Sequence, residues 1–445
     1  MKNTKALLIQ GPVKQILFKM TLPMIFAMIG MIAFNLIDTF FVGRLGTNEL
    51  TALSFTFPVV LVIISVSLGL GVGVSAVVSK AIGKNNHEKV QRLTTDSLLL
   101  SLIVVIFFAI AGYFTIEPLF KLLGASQEIL LLIKQYMSIW YWGVVFVVIP
   151  MVGNNAIRAT GDTKTPAIIM LVAILVNIIL DPLLIFGIGI FPRLGLQGAA
   201  IATVIARAVT LIFSLWVLYF RYDMINFKFS FRELINSWKT VLYIGLPVSL
   251  TKIITPLAIG IITKLLASYG PYAVAAFGVA TRIEFLALAA VFALSSVIGP
   301  FVGQNWAAGK KERVNLGIKY SNKFSMYWGF TLFILLALFR NPIASLFTNN
   351  PEIISTISLY LLIVPICYGL FGVLLVSTTT LNVLHKPLHS AFIILIQMFV
   401  LYVPLAYLGS SLFGLVGIFT GITLAYLISG ILSSIILKKV LYKNF

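Results

Sequence analysis

The chain has 445 residues, 60% of them apolar and only 10% charged, with a mean hydropathy of +1.06. So few charges cannot cover the surface of a soluble domain of this length. The apolar runs are continuous and long enough to span a bilayer as helices, which also excludes the alternating pattern of a β-barrel.

The net charge of +19 raises nucleic acid as a partner. The distribution of that charge removes it. Most of the 32 Lys and Arg fall in alternate loops, whereas the opposite loops hold only Arg44, Lys121, Arg193 and Arg340. Lys134, Arg207, Lys252, Lys264 and Arg282 fall within spans. This is the positive-inside pattern, so both termini are expected in the cytoplasm. The basic charge is topology and lipid contact. A single cysteine, Cys367, excludes a disulfide framework and a cysteine metal site. Residues 1–20 lack a small-residue cleavage site and run into the first span, so no cleavable signal is expected.

Twelve spans are expected, at 14–44, 50–79, 93–116, 128–157, 164–190, 195–220, 238–268, 273–303, 317–340, 352–384, 387–411 and 414–440. The polar stretch 221–237 divides them six and six. This gives a six-helix lobe at 1–220, a cytoplasmic linker, and a second lobe at 238–445.

The halves are repeats. A shift of 224 residues places Leu22-Pro23 on Leu246-Pro247, Gly46 on Gly270, Ala52 on Ala276 and Glu88 on Glu312. Further on, Pro166 pairs with Pro387, and Gly195-Leu-Gln-Gly198 with Gly414-Leu-Val-Gly417. Six is even, so both repeats enter from one side and their pseudo-two-fold runs along the membrane normal. Two bundles around a central cleft follow. The chemistry is asymmetric: Asp38 corresponds to Ile262 and Asp181 to Tyr402.

Asp38 and Asp181 are two of only 13 acids, and both fall where the bilayer should be. Carboxylates in hydrocarbon are costly and mark function. At about 1.5 Å per residue, Asp38 lies ~9 Å below Arg44 and Asp181 ~25 Å above Lys164, which puts both in the outer half. Asn177 is one turn from Asp181 on the same face. Thr203 and Tyr136 have similar depth. The cluster can carry a proton between two carboxylates, or its oxygens can coordinate sodium. The plain alternative is that Asp38 ends a helix and Asp181 caps a turn before Pro182. Pro23 is a candidate hinge in the first span, or a static kink shared with Pro247. Substrate-cavity candidates are Tyr136, Asn154, Asn155, Asn35 and Met31, with hydrogen bonding between helices the equal alternative for Asn154 and Asn155.

Other signals are weaker. Gly69-x-Gly71-x-Gly73 follows no strand and lies mid-span, so close helix packing is expected rather than phosphate binding. Arg282 and Glu284, in the eighth span, are read as a structural ion pair, with each other or a neighbour. No nucleophile, metal set or cofactor motif stands out, so no enzyme is expected.

Four stretches carry a family resemblance: Asp38-Thr-Phe-Phe-Val-Gly43-Arg-Leu-Gly46, Arg158-Ala-Thr-Gly161-Asp162-Thr-Lys-Thr-Pro166, Asn177-Ile-Ile-Leu-Asp181-Pro182, and Gly198-Ala-Ala-Ile-Ala-Thr203. With them the chain resembles the multidrug and toxic compound extrusion family, nearest the branch named for a DNA-damage-inducible protein. The resemblance implies an all-α, V-shaped pair of bundles with alternating access. It implies export of small-molecule drugs or toxic organic cations against H⁺ or Na⁺, and no bound cofactor. It also implies that Asp38, Asn177, Asp181 and Thr203 carry the coupling ion. A sodium site in the second lobe would need acids in the seventh and tenth spans, and those spans hold only Glu352, at an edge. The expectation is a monomer in a bacterial or archaeal inner membrane. The rival is a flippase for a lipid-linked oligosaccharide or cell-wall precursor, which would want a cationic cavity for pyrophosphate.

Overall fold

The computed structural model describes residues 6–228 and 230–444, leaving aside the side chains at 35, 36 and 444. In lipid every backbone polar group must be satisfied internally, which these sequences do by forming helices. In chain order these are α1 (Val13–Gly43), α2 (Thr47–Gly83), α3 (His87–Leu122), α4 (Gln127–Gly143), α5 (Val145–Ala159), α6 (Lys164–Phe186), α7 (Leu196–Trp216) and α8 (Phe231–Ala267). There follow α9 (Pro271–Ala287), α10 (Ala289–Ala307), α11 (Lys311–Leu338), the short α12 (Arg340–Ser345), α13 (Pro351–Ile363), α14 (Tyr368–Val383), α15 (Pro387–Leu395) and α16 (Val403–Asn444). Among the described residues there is no strand.

Among the described residues, eight helical runs are long and apolar enough to cross a bilayer. The pairs α4–α5 and α9–α10, bent by 42° and 49°, bring this to ten. The last run, Pro387–Lys443, breaks at Phe413 and Gly414, which leave the helical region, and so supplies two crossings. The 28-residue α11 is less apolar than these but long enough to cross, and with it the count reaches the expected twelve. Gly414 stands at φ 59°, a left-handed conformation that favours glycine, and divides the final two spans. The helix α1 runs unbroken through Pro23.

The chain divides into two compact units, and their borders cross the expected limits at 220 and 238. Unit 1 holds Met1–Leu7 and Phe26–Ser249; unit 2 holds Leu8–Ile25 and Leu250–Phe445. The first part of α1 thus belongs to unit 2, and the first part of α8 to unit 1. Both borders lie just past a proline, Pro23 or Pro247, and are one repeat shift apart.

In unit 1 the three glycines of α2 let other helices approach, as their spacing predicts. A Cβ on Gly69 would lie 2.5 Å from the Gly245 carbonyl oxygen of α8, and one on Gly73 2.6 Å from that of Val241. Gly71 faces the Asn155 side chain of α5. The 221–237 linker is strapped to α3. Arg92 donates to the carbonyls of Lys228 (2.7 Å) and Ser230 (2.5 Å), and pairs with Asp96 and Glu233. The Trp238 indole N–H donates to the Asp96 carbonyl at 2.8 Å.

In unit 2 the segment before α1 is clamped. Gln304 accepts the Leu8 N–H, and Asn305 and Arg313 donate to the Leu8 carbonyl, all at 3.1 Å. Arg313 also reaches the Gly11 carbonyl at 2.8 Å, and Lys310 that of Ile9 at 3.0 Å.

Candidate functional site

The site in unit 1 rests on the helical repeat. On α6, Ile174, Asn177 and Asp181 share one face; on α1, Met31, Phe34 and Asp38 do the same. The two helices approach at Gly30, whose added Cβ would lie 3.0 Å from both Leu171 and Ile174 of α6. Asn177 and Asp181 are fully buried, and the Asn177 amide donates to Asp181 Oδ1 at 3.1 Å. Asp38 and Asp181 act electrostatically on each other and on the buried Tyr136 of α4. Asp38 Oδ1, Asp181 Oδ2 and Asn177 Oδ1 are buried, yet take no hydrogen bond among the described residues. Buried oxygens in this condition are costly. The arrangement can therefore hold a proton or a small cation.

The other expected members divide. Thr203 is half-buried on α7 and makes no hydrogen bond to either carboxylate among the described residues. Met31 lines a cavity of about 10 Å³ together with Phe34, Met170, Ala173, Ile174, Ala206 and Arg207. The Asn35 side chain lies outside the described residues. Asn155 is not a cavity residue: it is buried against Gly71, donates to the Met151 carbonyl and accepts from Arg158 at 2.6 Å. Asn154, its neighbour, keeps a buried, unpartnered Oδ1 among the described residues.

Arg207, which the sequence marks only as one of five cations within spans, stands beside this site. It sits over the Phe34 ring, 5.1 Å from the centroid, and within electrostatic range of Asp38. Its signal was the four-residue spacing from Thr203.

The expected ion pair of Arg282 and Glu284 does not form. Residues two apart on a helix point to different sides. Arg282 is exposed, while Glu284 is half-buried and accepts hydrogen bonds from the Tyr360 hydroxyl and, at 3.3 Å, the Tyr368 hydroxyl. Tyr402 and Tyr426 stand within electrostatic range of that carboxylate, and their rings pack edge-on at 5.7 Å. Glu284 therefore heads a phenol cluster in unit 2.

Asp162, in the α5–α6 turn, is structural. It accepts from the Thr165 N–H (2.9 Å) and hydroxyl (2.5 Å) and from the Tyr222 hydroxyl (2.7 Å), with Arg221 at 3.6 Å. Burial alone would raise its pKa, but these hydrogen bonds and the Arg221 charge outweigh it and hold the carboxyl below its ordinary value.

A family model described as MatE matches residues 23–183 and again 247–408, so the match itself is repeated. The FAD transporter of Shewanella oneidensis is 40% identical over 95% of this chain and 94% of its own. A probable multidrug resistance protein of Bacillus subtilis, YoeA, is 26% identical over 89% of this chain and 87% of its own. The crystal structure of the Vibrio cholerae MATE transporter VcmN in its bent form has a TM-score of 0.93, with 30% identity and 97% of each chain covered. Matched across both halves, this chain belongs to the MatE family of multi-pass membrane transporters and is not an enzyme.

Proposed function

We propose that the protein is a secondary active exporter that exchanges its cargo for protons at Asp38 and Asp181. The observation that carries this reading is the set of buried, unpartnered oxygens that Asp38, Asn177 and Asp181 bring together in one unit. A proton entering from outside neutralises one carboxylate of the pair and lowers the cost of burying their charge. Bending of α1 at Pro23 then carries the change along the helix, and both termini lie in the cytoplasm.

Two readings of the cargo have support. The relative named FAD transporter, at 40% identity, favours an anionic flavin dinucleotide. The relatives named for multidrug resistance or export, at 23–26%, together with the acidic site, favour amphiphilic organic cations. A membrane potential of 100 mV adds ~2.3 kcal/mol per charge moved. It drives an anion outward unaided, whereas a cation needs the proton.

The test is efflux from proteoliposomes holding either FAD or a fluorescent cationic dye, under a pH gradient alone and then a sodium gradient alone. Efflux driven by the pH gradient and lost in Asp38→Asn is the expected result. Efflux unaffected by Asp38→Asn and Asp181→Asn would sink the coupling reading, and whichever cargo moves decides between the two substrate classes.

A further inference from the structure

The Asp38–Asp181 site has a charged floor. Arg207 lies one turn beyond Thr203 on α7, so the two share a face. Its guanidinium covers Phe34, which is one turn from Asp38 on α1. Met31, Phe34, Met170 and Ile174 make the surroundings of Arg207 apolar, and the cavity between them, about 10 Å³, has room for a single water at most. No ion pair joins Arg207 to Asp38, yet their charges act on each other. The groups facing Asp38 are thus Asp181 from α6, Tyr136 from α4 and Arg207 from α7. An arginine stays charged at any pH the protein meets.

We propose that Arg207 is a resident cation that reserves the Asp38–Asp181 site for protons and closes it to sodium. The inference rests on the reading that these two acids are the coupling site. Sodium gives up its water only for a shell of several oxygens, here both carboxylates with Asn177 and Thr203, and in this set the attraction comes mainly from the two carboxylates. Arg207 offsets one of the two negative charges and stands one turn from the hydroxyl that would complete the shell. A proton needs no shell: it bonds to one carboxylate oxygen and leaves the second acid to balance Arg207. At an effective dielectric of about 20, two unit charges about 8 Å apart change each other's binding by roughly 30-fold, which sets the scale of the expected effect.

The experiment is thermal unfolding of the purified full-length protein in NaCl against choline chloride at equal ionic strength and alkaline pH. It needs no cargo, because any ion that binds the folded state raises Tm. Wild type is expected to melt at the same temperature in both salts, and so is Arg207→Lys. Arg207→Gln is expected to gain a rise of about 2–4 °C specific to sodium, and the double variant with Asp38→Asn to lose it. Should Arg207→Gln not fold, Arg207→Met is read in the same way. Sodium-specific stabilisation of wild type that disappears in Asp38→Asn would overturn the proposal. So would a folded Arg207→Gln with no sodium response. In either case, transport driven by a pH gradient through Asp38 would leave the parent reading standing; only loss of that dependence removes both.

Discussion

Carried across the repeat, the two polar clusters stand at matching positions with opposite chemistry. Tyr136 of unit 1 corresponds to Tyr360 of unit 2 at the 224 shift, and Asp181 corresponds to Tyr402 at 221. The 219 shift set by Gly195 and Gly414 places Arg207 on Tyr426. Where unit 1 has charges, unit 2 has phenols. The carboxylate among these phenols, Glu284, comes from α9 and receives two hydroxyl hydrogen bonds. The acids of unit 1 keep buried oxygens without partners among the described residues. A satisfied acid is held in place, whereas an under-satisfied one is ready to exchange what it holds. The difference teaches that duplication supplied two equivalent positions and that, among the described residues, only unit 1 sets paired, under-satisfied carboxylates there.

The largest effect that would break this comparison belongs to unit 1. Asp38→Asn and Asp181→Asn are each expected to cut proton-driven efflux at least ~100-fold with normal membrane levels, in line with loss of a group that carries the proton. An asymmetry in the opposite direction, with Glu284→Gln the damaging change, would place coupling in unit 2. Tyr360→Phe comes next. It removes a hydroxyl donor from Glu284 and is expected to cost about 1–3 kcal/mol of stability, read as a fall in Tm of several degrees with efflux per folded molecule unchanged. Glu284→Gln keeps an acceptor for both phenols, so its expected effect on efflux is under ~3-fold. Equal losses in Asp38→Asn and Glu284→Gln would show two working sites.

The smallest effect calibrates the others. Asp162 is fully partnered and lies outside the spans, so Asp162→Asn should lower Tm by a few degrees at pH 7 and leave efflux per folded molecule intact. The sign follows from its depressed pKa. Its contribution is present above the ordinary carboxylate range and fades as pH falls through the lower folded value. The gap between variant and wild type therefore narrows on acidification. A gap that widens in acid would contradict the hydrogen-bond network around Asp162.

What the sequence revealed was whatever repeats or lies within one helix. Continuous apolar runs marked the spans, and the family match begins at Pro23 and again at Pro247, the same shift that aligned the halves. Asn177 and Asp181 were legible because four residues make one turn, and their hydrogen bond is local. The contacts of Glu284 were not, because Tyr360 and Tyr368 arrive from helices 76 and 84 residues away. Asn155 could not be assigned to cavity or to packing because nothing in its own helix shows that Gly71 of α2 stands opposite. Arg207 was undervalued for the same reason: its neighbour Phe34 is far away in sequence.

The exchange of helix segments between units sets an order of birth. Residues 8–25 pack with the unit that begins at Leu250, and the side chains that clamp Leu8 and Gly11 sit at 304–313. At about 5–20 residues per second, the ribosome needs ~15–60 s after making Leu8 to deliver its partners. Unit 1 likewise waits for residues 231–249. Neither half can finish alone, so expressing residues 1–220 by themselves should yield a product that the membrane's quality-control proteases remove, until the other half is supplied.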